Sequence, residues 1–510
     1  MVISKSEFMM FLKHPAWLWL KKFDKSKIPI PDEDLQARFD EGTLFETYAE
    51  KLFPEAVRLG YKNGKDFSGT KYYALPELTK KEIEKGTKVI LQGRVEVDLS
   101  TSLEAGNLTA IFDVLERVEE NVFDLYEIKS STSVKPEHIP DLAFQTIVLE
   151  KAGLIVRNLS VIHVNNEYVR NGDIEPEKIS KKTEVTDEVR SVISETLENI
   201  EKAFRVLSSK TMPDLSPRLL KDSSMMAEWL EIVEAVKGKL PKYNIYKLAT
   251  LKPEIVALFE DQGVELIGDI PLDVGLSEKQ LRQVLATKTG EQKIEKDEIK
   301  EFIHALEFPI HFFDYETLSG VIPTFDGTRP YQQVPFQYSL HIWNSLESKL
   351  LHKEYLHTEK SNPVLTLLKQ MQEDFEDKGS IIAWSKKFEI ARNNEMAKMY
   401  PKYANFLFEL NDRMVDLMDP FAKGWFVDKD FLGSASLKAV LPVLVPELSY
   451  KELEVSHGGQ AQRVWMETVL DGKNAETKNE IMEHLRKYCT LDTYSMYAVL
   501  KYLSEKIKTI

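Results

Sequence analysis

Pro309-Ile310-His311-Phe312-Phe313-Asp314-Tyr315-Glu316-Thr317 reads as a β-strand entered at a proline, where the missing N–H costs least. A period of two places Asp314 and Glu316 on one face, with Phe313 and Tyr315 on the other. Two carboxylates on one face of an apolar run need a ligand, a partner or water, because burying an unpaired carboxylate is expensive. The next apolar run, Ile381-Ile382-Ala383-Trp384, predicts a second strand, and Ser385-Lys386-Lys387-Phe388-Glu389 leads into a helix. Glu389 falls near that helix's N-terminus, where an acid also complements the dipole. Toward the C-terminal end, Leu485, Cys489, Asp492, Met496 and Val499 follow a 4-3-4-3 spacing. That is an apolar helical stripe with one carboxylate inside it, and Tyr488 precedes Asp492 by one helical turn. From Pro309 onward short strands alternate with helices, so an α/β domain is predicted over residues 306–510.

A second acidic set lies in the N-terminal third. In Leu125-Tyr126-Glu127-Ile128-Lys129, Glu127 and Lys129 share a strand face. In Ala110-Ile111-Phe112-Asp113-Val114-Leu115, Asp113 shares a face with Ile111 and Leu115, an acid on an otherwise apolar surface. A turn at Glu119-Glu120-Asn121 makes the two strands antiparallel neighbours and brings Asp113 close to Glu127 and Lys129. A further turn is expected at Glu104-Ala-Gly-Asn107. Two helices add polar groups to apolar stripes: Glu46 in the series Gly42, Glu46, Ala49, Phe53, and Gln145 in the series Leu142, Gln145, Leu149, Ala152. The chain is expected to be helical through about Leu59, strand-rich from Lys88 to Lys129, helical from Asp141 to Ala152, and extended from Leu154 to Val164.

On these residues, the segment 1–185 resembles a RecB-like member of the PD-(D/E)xK nucleases. That pattern is an acid on one strand, then (D/E)-x-K on the next, then a helix with a glutamine signature. Asp113, Glu127-Ile-Lys129 and Gln145 match it, and Glu46 stands where the family usually has histidine. The C-terminal segment resembles the DnaQ-like, DEDD-type 3′-5′ exonucleases of the tyrosine subclass, with a ribonuclease H-like fold. Asp314 and Glu316 match the first motif and Tyr488-x-x-x-Asp492 the third. Phe388-Glu389 stands where the middle motif normally has aspartate, and Asp416 is the alternative ligand. Pro330-Tyr-Gln-Gln-Val-Pro-Phe-Gln-Tyr338 and Gly433-Ser-Ala-Ser-Leu-Lys438 resemble an uncharacterised DnaQ-like family whose members are often fused behind RecB-like domains. The resemblance implies a restriction-endonuclease-like α/β domain followed by a ribonuclease H-like α/β domain. It also implies Mg²⁺ or Mn²⁺ as cofactor, held by Glu46, Asp113 and Glu127 at one site and by Asp314, Glu316, Glu389 and Asp492 at the other. Hard oxygen ligands suit those ions. Lys129, Gln145 and Tyr488 become the catalytic groups, with Tyr488 positioning the attacking water. Some RecB-like relatives bind an iron–sulfur cluster through cysteines. With His14 near its start and Cys489 as its single cysteine, this chain cannot build one.

Length and composition bound the reading. At 510 residues the chain predicts roughly two or three domains. No apolar run approaches the roughly 20 residues that cross a bilayer. The first residues lack a signal-peptide pattern, and one cysteine rules out intrachain disulfides, so a cytoplasmic location is expected. A net charge of −15 argues against a protein that coats nucleic acid, although bound cations reverse the sign at a metal site. The stretch Lys13–Lys27 mixes lysines with Trp17, Trp19 and Phe23, and reads as an amphipathic helix turning its tryptophans inward. Residues 186–305 are expected to form a helical connector, within which 252–270 resembles a helix-hairpin-helix. The expected function is a metal-dependent nuclease acting on DNA with single-stranded ends, in DNA repair or in defence against foreign DNA. The alternatives are a nucleic-acid-binding scaffold with one or both sites inactive, and an RNA-processing nuclease.

Overall fold

The computed structural model describes residues 1–60, 69–99 and 106–508. The fold is mixed α/β, and the chain divides into two compact units. The first comprises Met1–Lys239 with Gly320–Tyr331, and the second comprises Leu240–Ser319 with Gln332–Ile510. Among the described residues no helix is long and apolar enough to cross a membrane.

The first unit is built on a seven-stranded sheet. Its strands are β1 (Val2–Ser4), β2 (Val57–Arg58), β3 (Val89–Asp98), β4 (Asn107–Glu119), β5 (Val122–Lys129), β6 (Ile155–Val164) and β7 (Ser180–Glu184). The order is β2-β3-β4-β5-β6-β7, with β1 parallel to β4. β4 and β5 are antiparallel across the expected turn, with Val114 opposite Tyr126. β5 and β6 are parallel and joined through a helix, as parallel neighbours require. Five helices matter here: α1 (Lys5–Lys13), α2 (Pro15–Phe23), α3 (Glu33–Ala49), α4 (His138–Lys151) and α5 (Ile193–Ser208). One core packs Phe8, Phe11, Leu18, Phe112 and Phe144 together, and a second joins Phe45, Val114, Tyr126, Ile128 and Val321. Gly93 is required where it stands, because a Cβ there would meet the Phe112 ring at 2.3 Å. Helix does not continue to Leu59: the expected helical stretch ends at Leu52, and Val57–Arg58 pairs with β3. Of the turn expected at 104–107, Glu104 and Ala105 lie outside the described residues.

Residues 186–305 do not form a body of their own. Ile200, Ala203, Phe204 and Leu207 of α5 enter the first unit's core. Trp229 stacks on His14 with ring centroids 3.8 Å apart, while Trp17 is buried beside it, as its amphipathic spacing predicts. Ile245, Leu248, Phe259, Ile267 and Val284 form a small core in the second unit. The helix-hairpin-helix expected over 252–270 is incomplete. Pro253–Asp261 is helical, but Gly263 turns the chain at φ +68° and Ile267–Asp269 is a single 3₁₀ turn ahead of Pro271.

In the second unit, a small pair of strands, β8 (Lys293–Ile294) and β14 (Phe426–Val427), stands apart from a five-stranded sheet. The sheet contains β9 (Ile310–Leu318), β10 (Val334–Trp343), β11 (Leu351–Leu356), β12 (Ile381–Ala383) and β13 (Met414–Asp416), in the order β11-β10-β9-β12-β13. The first three strands form an antiparallel meander, while β12 runs parallel to both β9 and β13. Five helices complete the frame: α6 (Val364–Asp374), α7 (Lys387–Met399), α8 (Leu437–Leu444), α9 (Gly458–Trp465) and α10 (Lys478–Lys508). Side-chain hydrogen bonds fasten α10 to the sheet. Gln337 Nε2 donates to the Leu485 carbonyl at 3.0 Å, and Thr493 Oγ1 lies 2.7 Å from Ser339 Oγ and 2.8 Å from His341 Nδ1. On the other face of β9, Tyr315 Oη donates to Asn393 Oδ1 of α7 at 2.8 Å. The central strand is therefore gripped on both sides by helices that carry acids.

Candidate functional site

The second unit gathers Asp314, Glu316, Tyr488 and Asp492 on the wall of one cleft of about 390 Å³. Strand alternation points Asp314 and Glu316 toward α10, and the 4-3 spacing of α10 returns Asp492 to them. The apolar part of the lining is Trp384, Phe388, Leu437 and Met496. Gly458 and Gly459, at the amino end of α9, close the cleft beside Glu316. Among the described residues, neither the Asp314 nor the Glu316 carboxylate has a hydrogen-bond donor or an ion-pair partner. Burial first, then the neighbouring Asp492, Glu316 and Glu389, push Asp314 well above the usual carboxylate range. Burial and Asp492 do the same to Glu316. Burial raises Asp492 to about 6 despite hydrogen bonds from Tyr450 and Tyr488.

Glu389 is placed differently from the others. It is buried, Asp314 feels its charge, yet it does not line the cleft, whereas its neighbour Phe388 does. Its Oε2 has no hydrogen-bond partner, and burial raises its carboxyl to about 8. Asp416, the alternative ligand, is already committed. Its carboxylate accepts from the amides of Ser385, Lys386 and Met418 at 2.9, 3.1 and 3.0 Å. It pins a turn in which Ser385 adopts φ +69°, which is a structural duty.

This donor set fits a hard divalent cation. Mutually repelling, undersatisfied carboxylates are stabilised by a bound ion, which inverts the local pKa logic. Cys489 Sγ also lies within 4.8 Å of Asp314 and Glu316 oxygens, but burial and the surrounding acids push its thiol well up. A neutral thiol is a poor ligand for a hard ion.

One residue of this site escaped the sequence reading. Tyr450 Oη donates to Asp492 Oδ1 at 2.5 Å and is thereby a second tyrosine on that carboxylate. Removing the hydroxyl in Tyr450→Phe should raise the Asp492 pKa. The acid limb of metal binding, followed by Mn²⁺ titration at a series of pH values, is expected to move up by about one pH unit, since that is the scale of one charge-assisted hydrogen bond.

In the first unit, Asp113, Glu127, Lys129 and Gln145 converge as the strand register predicts. The Ile128 amide donates to Asp113 Oδ2 at 2.7 Å. Lys129 Nζ lies 2.7 Å from Glu127 Oε1 and 2.9 Å from Asp141 Oδ2. Gln145 Nε2 donates to Glu127 Oε2 at 2.7 Å and to Asp141 Oδ1 at 2.9 Å. Glu46 joins through Gln92, whose Nε2 donates to both Glu46 and Asp113, the latter at 3.2 Å. β3 and β4 keep one register on either side of Gln92, whose own pairing with Asp113 is missing and whose φ is +55°. Such left-handed backbone in a non-glycine residue concentrates at functional sites.

Lys5, at the start of α1, was also not foreseen. Its Nζ lies 2.7 Å from Glu127 Oε1 and 3.3 Å from Asp141 Oδ1. Burial works against the charge of Lys5 and Lys129, but Asp141 and Glu127 outweigh it and hold both ammonium groups above their ordinary range. Burial and Glu127 push Asp113 well up, while burial raises Glu46 against the pull of Arg58. The carboxylates here include hard donors for a divalent ion, and Gln145 Oε1 is buried without a partner. Unlike the second site, this one carries its own compensating cations.

Residues 311–436 match the family described as "Domain of unknown function (DUF2779)". That stretch contains Asp314, Glu316, Glu389 and Asp416 but not Asp492. The chain is 25% identical over 214 residues to the uncharacterized protein MG366 of Mycoplasma genitalium, covering 39% of this chain and 32% of that protein. It is 26% identical over 216 residues to the MG366 homolog of Mycoplasma pneumoniae, covering 38% and 32%. The uncharacterized protein UU173 of Ureaplasma parvum is 24% identical over 220 residues, covering 38% and 31%. The chain thus spans about a third of the length of these curated relatives.

Proposed function

We propose that this protein is a divalent-metal-dependent nuclease, with a 3′-5′ exonuclease site in its second unit and a separate RecB-like nuclease site in its first. One observation carries the reading: Asp314, Glu316 and Asp492, from a strand and a distant helix, share one cleft wall with no cation among the described residues to pair them. A Mg²⁺ or Mn²⁺ ion held there would stabilise charge on a phosphodiester and lower the pKa of an attacking water. Tyr488, on the same wall, orients that water. Tyr450 keeps Asp492 in its ionised, ligating form. Trp384 and Phe388 offer a face on which a base can stack, a contact worth about 1–3 kcal/mol per base. DNA is the proposed substrate, and DNA repair or defence against foreign DNA the proposed setting in the cytoplasm.

The purified chain is expected to shorten end-labelled single-stranded DNA from its 3′ end with Mn²⁺ and to stop with EDTA. RNA of the same sequence, assayed in parallel, should be degraded more slowly. No degradation of either polymer with Mg²⁺ or Mn²⁺ would overturn the reading.

The first unit supports a second reading. Lys5 and Lys129 both bind Glu127 Oε1, an atom that a metal would need. A site closed by its own lysines suits nucleic-acid binding without hydrolysis in that unit. The two readings separate in the Lys129 experiment described in the Discussion.

A further inference from the structure

Beside the cleft of the second unit, one lysine sits close to the two tyrosines of Asp492. Lys438 lies in the first turn of α8, where the positive end of the helix dipole disfavours an ammonium group. Among the described residues Lys438 makes no ion pair. Its Nζ instead donates to the Ser456 carbonyl at 2.8 Å. It also sits 5.6 Å from the Tyr450 ring centroid and 5.8 Å from that of Tyr488, the two tyrosines that flank Asp492. Its charge reaches the acids without touching them, working against the upward push of burial on both Glu316 and Asp492. The neighbouring Leu437 lines the cleft. An ammonium has three N–H donors, and the Ser456 carbonyl takes one.

We propose that Lys438 binds a backbone phosphate of the nucleotide chain in this cleft, as a phosphate-recognition residue supplied by α8. The inference rests on the phosphodiester reading of the same site. Charge counting supports it. An incoming phosphodiester brings a negative charge to a cleft that already carries Asp314, Glu316 and Asp492. Lys438 is the cation held ready for it. A lysine meant only to neutralise the acids would contact them, and this one is held off by a carbonyl and two ring faces. Lysine is a compact point charge suited to a single phosphate oxygen.

The test compares the affinities of the full chain for thymidine 5′-monophosphate and thymidine, by calorimetry with Mn²⁺ present. The wild-type protein should prefer the monophosphate. In Lys438→Met that preference is expected to fall about tenfold, the scale of a lost charge-assisted hydrogen bond, and Lys438→Arg should restore most of it. A packing role would weaken both ligands alike. Lys438 is exposed, so the fold should tolerate the change, and Lys438→Gln provides a second variant. An unchanged preference in both Lys438→Met and Lys438→Gln would overturn the assignment. If those variants keep the preference while wild-type protein degrades DNA, only the role of Lys438 falls. If the wild-type protein neither degrades DNA nor distinguishes the two ligands, the nuclease reading falls with it.

Discussion

Asp314→Asn is expected to cost roughly 1,000-fold in Mn²⁺-dependent shortening of single-stranded DNA, the scale of losing one preorganised electrostatic contact to developing charge. The same change should stabilise the metal-free protein. Asp314 is disfavoured as a carboxylate by burial and by three neighbouring acids. An amide of the same shape removes that repulsion, which suggests a gain of about 1–3 kcal/mol near neutral pH. The pH dependence has a definite sign. A carboxyl whose folded pKa lies above its unfolded value near 4 is neutral in the folded state at low pH and costs nothing there. As pH rises through the folded value, the stability carried by the neutral form is lost. With Asp492 near 6 and Glu389 near 8, wild-type protein in EDTA should lose melting temperature progressively from about pH 4 to pH 8. Asp314→Asn should flatten that decline. Saturating Mn²⁺ should abolish it in the wild type, because a ligand at 100 times its Kd adds about 2.7 kcal/mol. Scanning calorimetry at pH 6 and pH 8, with EDTA and with Mn²⁺, reads all of these effects. A metal-free wild type that melts higher at pH 8 than at pH 6 would count against the clustered-acid account.

The second large effect belongs to the first unit. Asp314→Asn is expected to leave a slower, metal-dependent cleavage of DNA. Adding Lys129→Ala to it should remove that residue of activity by a further factor of about 100 or more. Lys129 pairs with Glu127 and Asp141, and losing a partner of a buried pair can cost 3–5 kcal/mol. Lys5 remains on the same two carboxylates, so the double variant should still fold, as circular dichroism can verify. If Asp314→Asn leaves no cleavage at all, or the residual cleavage survives Lys129→Ala, the first unit is not a nuclease. Binding without turnover is then the better account of its lysine-closed site.

Periodicity made much of this legible. Asp314 and Glu316 share a strand face, Asp492 sits in the stripe of α10, and Asp113 meets Glu127 across the turn at 120–121, because two simple repeats fix which way each side chain points. Asp141 was equally within reach, one helical turn before Gln145 on the same helix. Lys5 and Lys438 carried little signal: each stands in the first turn of a helix, but so do Lys296, Lys387 and Lys478, and position alone does not single them out. Gln92 was not legible, since its role depends on a left-handed backbone that an ordinary glutamine does not announce. Tyr450 lies in irregular chain, where spacing says nothing about direction. Asp416 looked like a ligand until three amides were found on it, a matter of turn geometry rather than residue type. The helical connector expected over 186–305 divides between the two units; the amphipathic face of α5 shows that it must pack, but not against which core.

The central claim is that acids far apart in the chain converge to hold divalent cations in the second unit. Crystals soaked in Mn²⁺ and measured at the manganese absorption edge test it most directly. Anomalous peaks should appear among Asp314, Glu316 and Asp492, with the Glu389 carboxylate turned toward them, and should vanish in Asp314→Asn. A saturated crystal with no peak at those carboxylates, or with manganese bound only elsewhere, would contradict it.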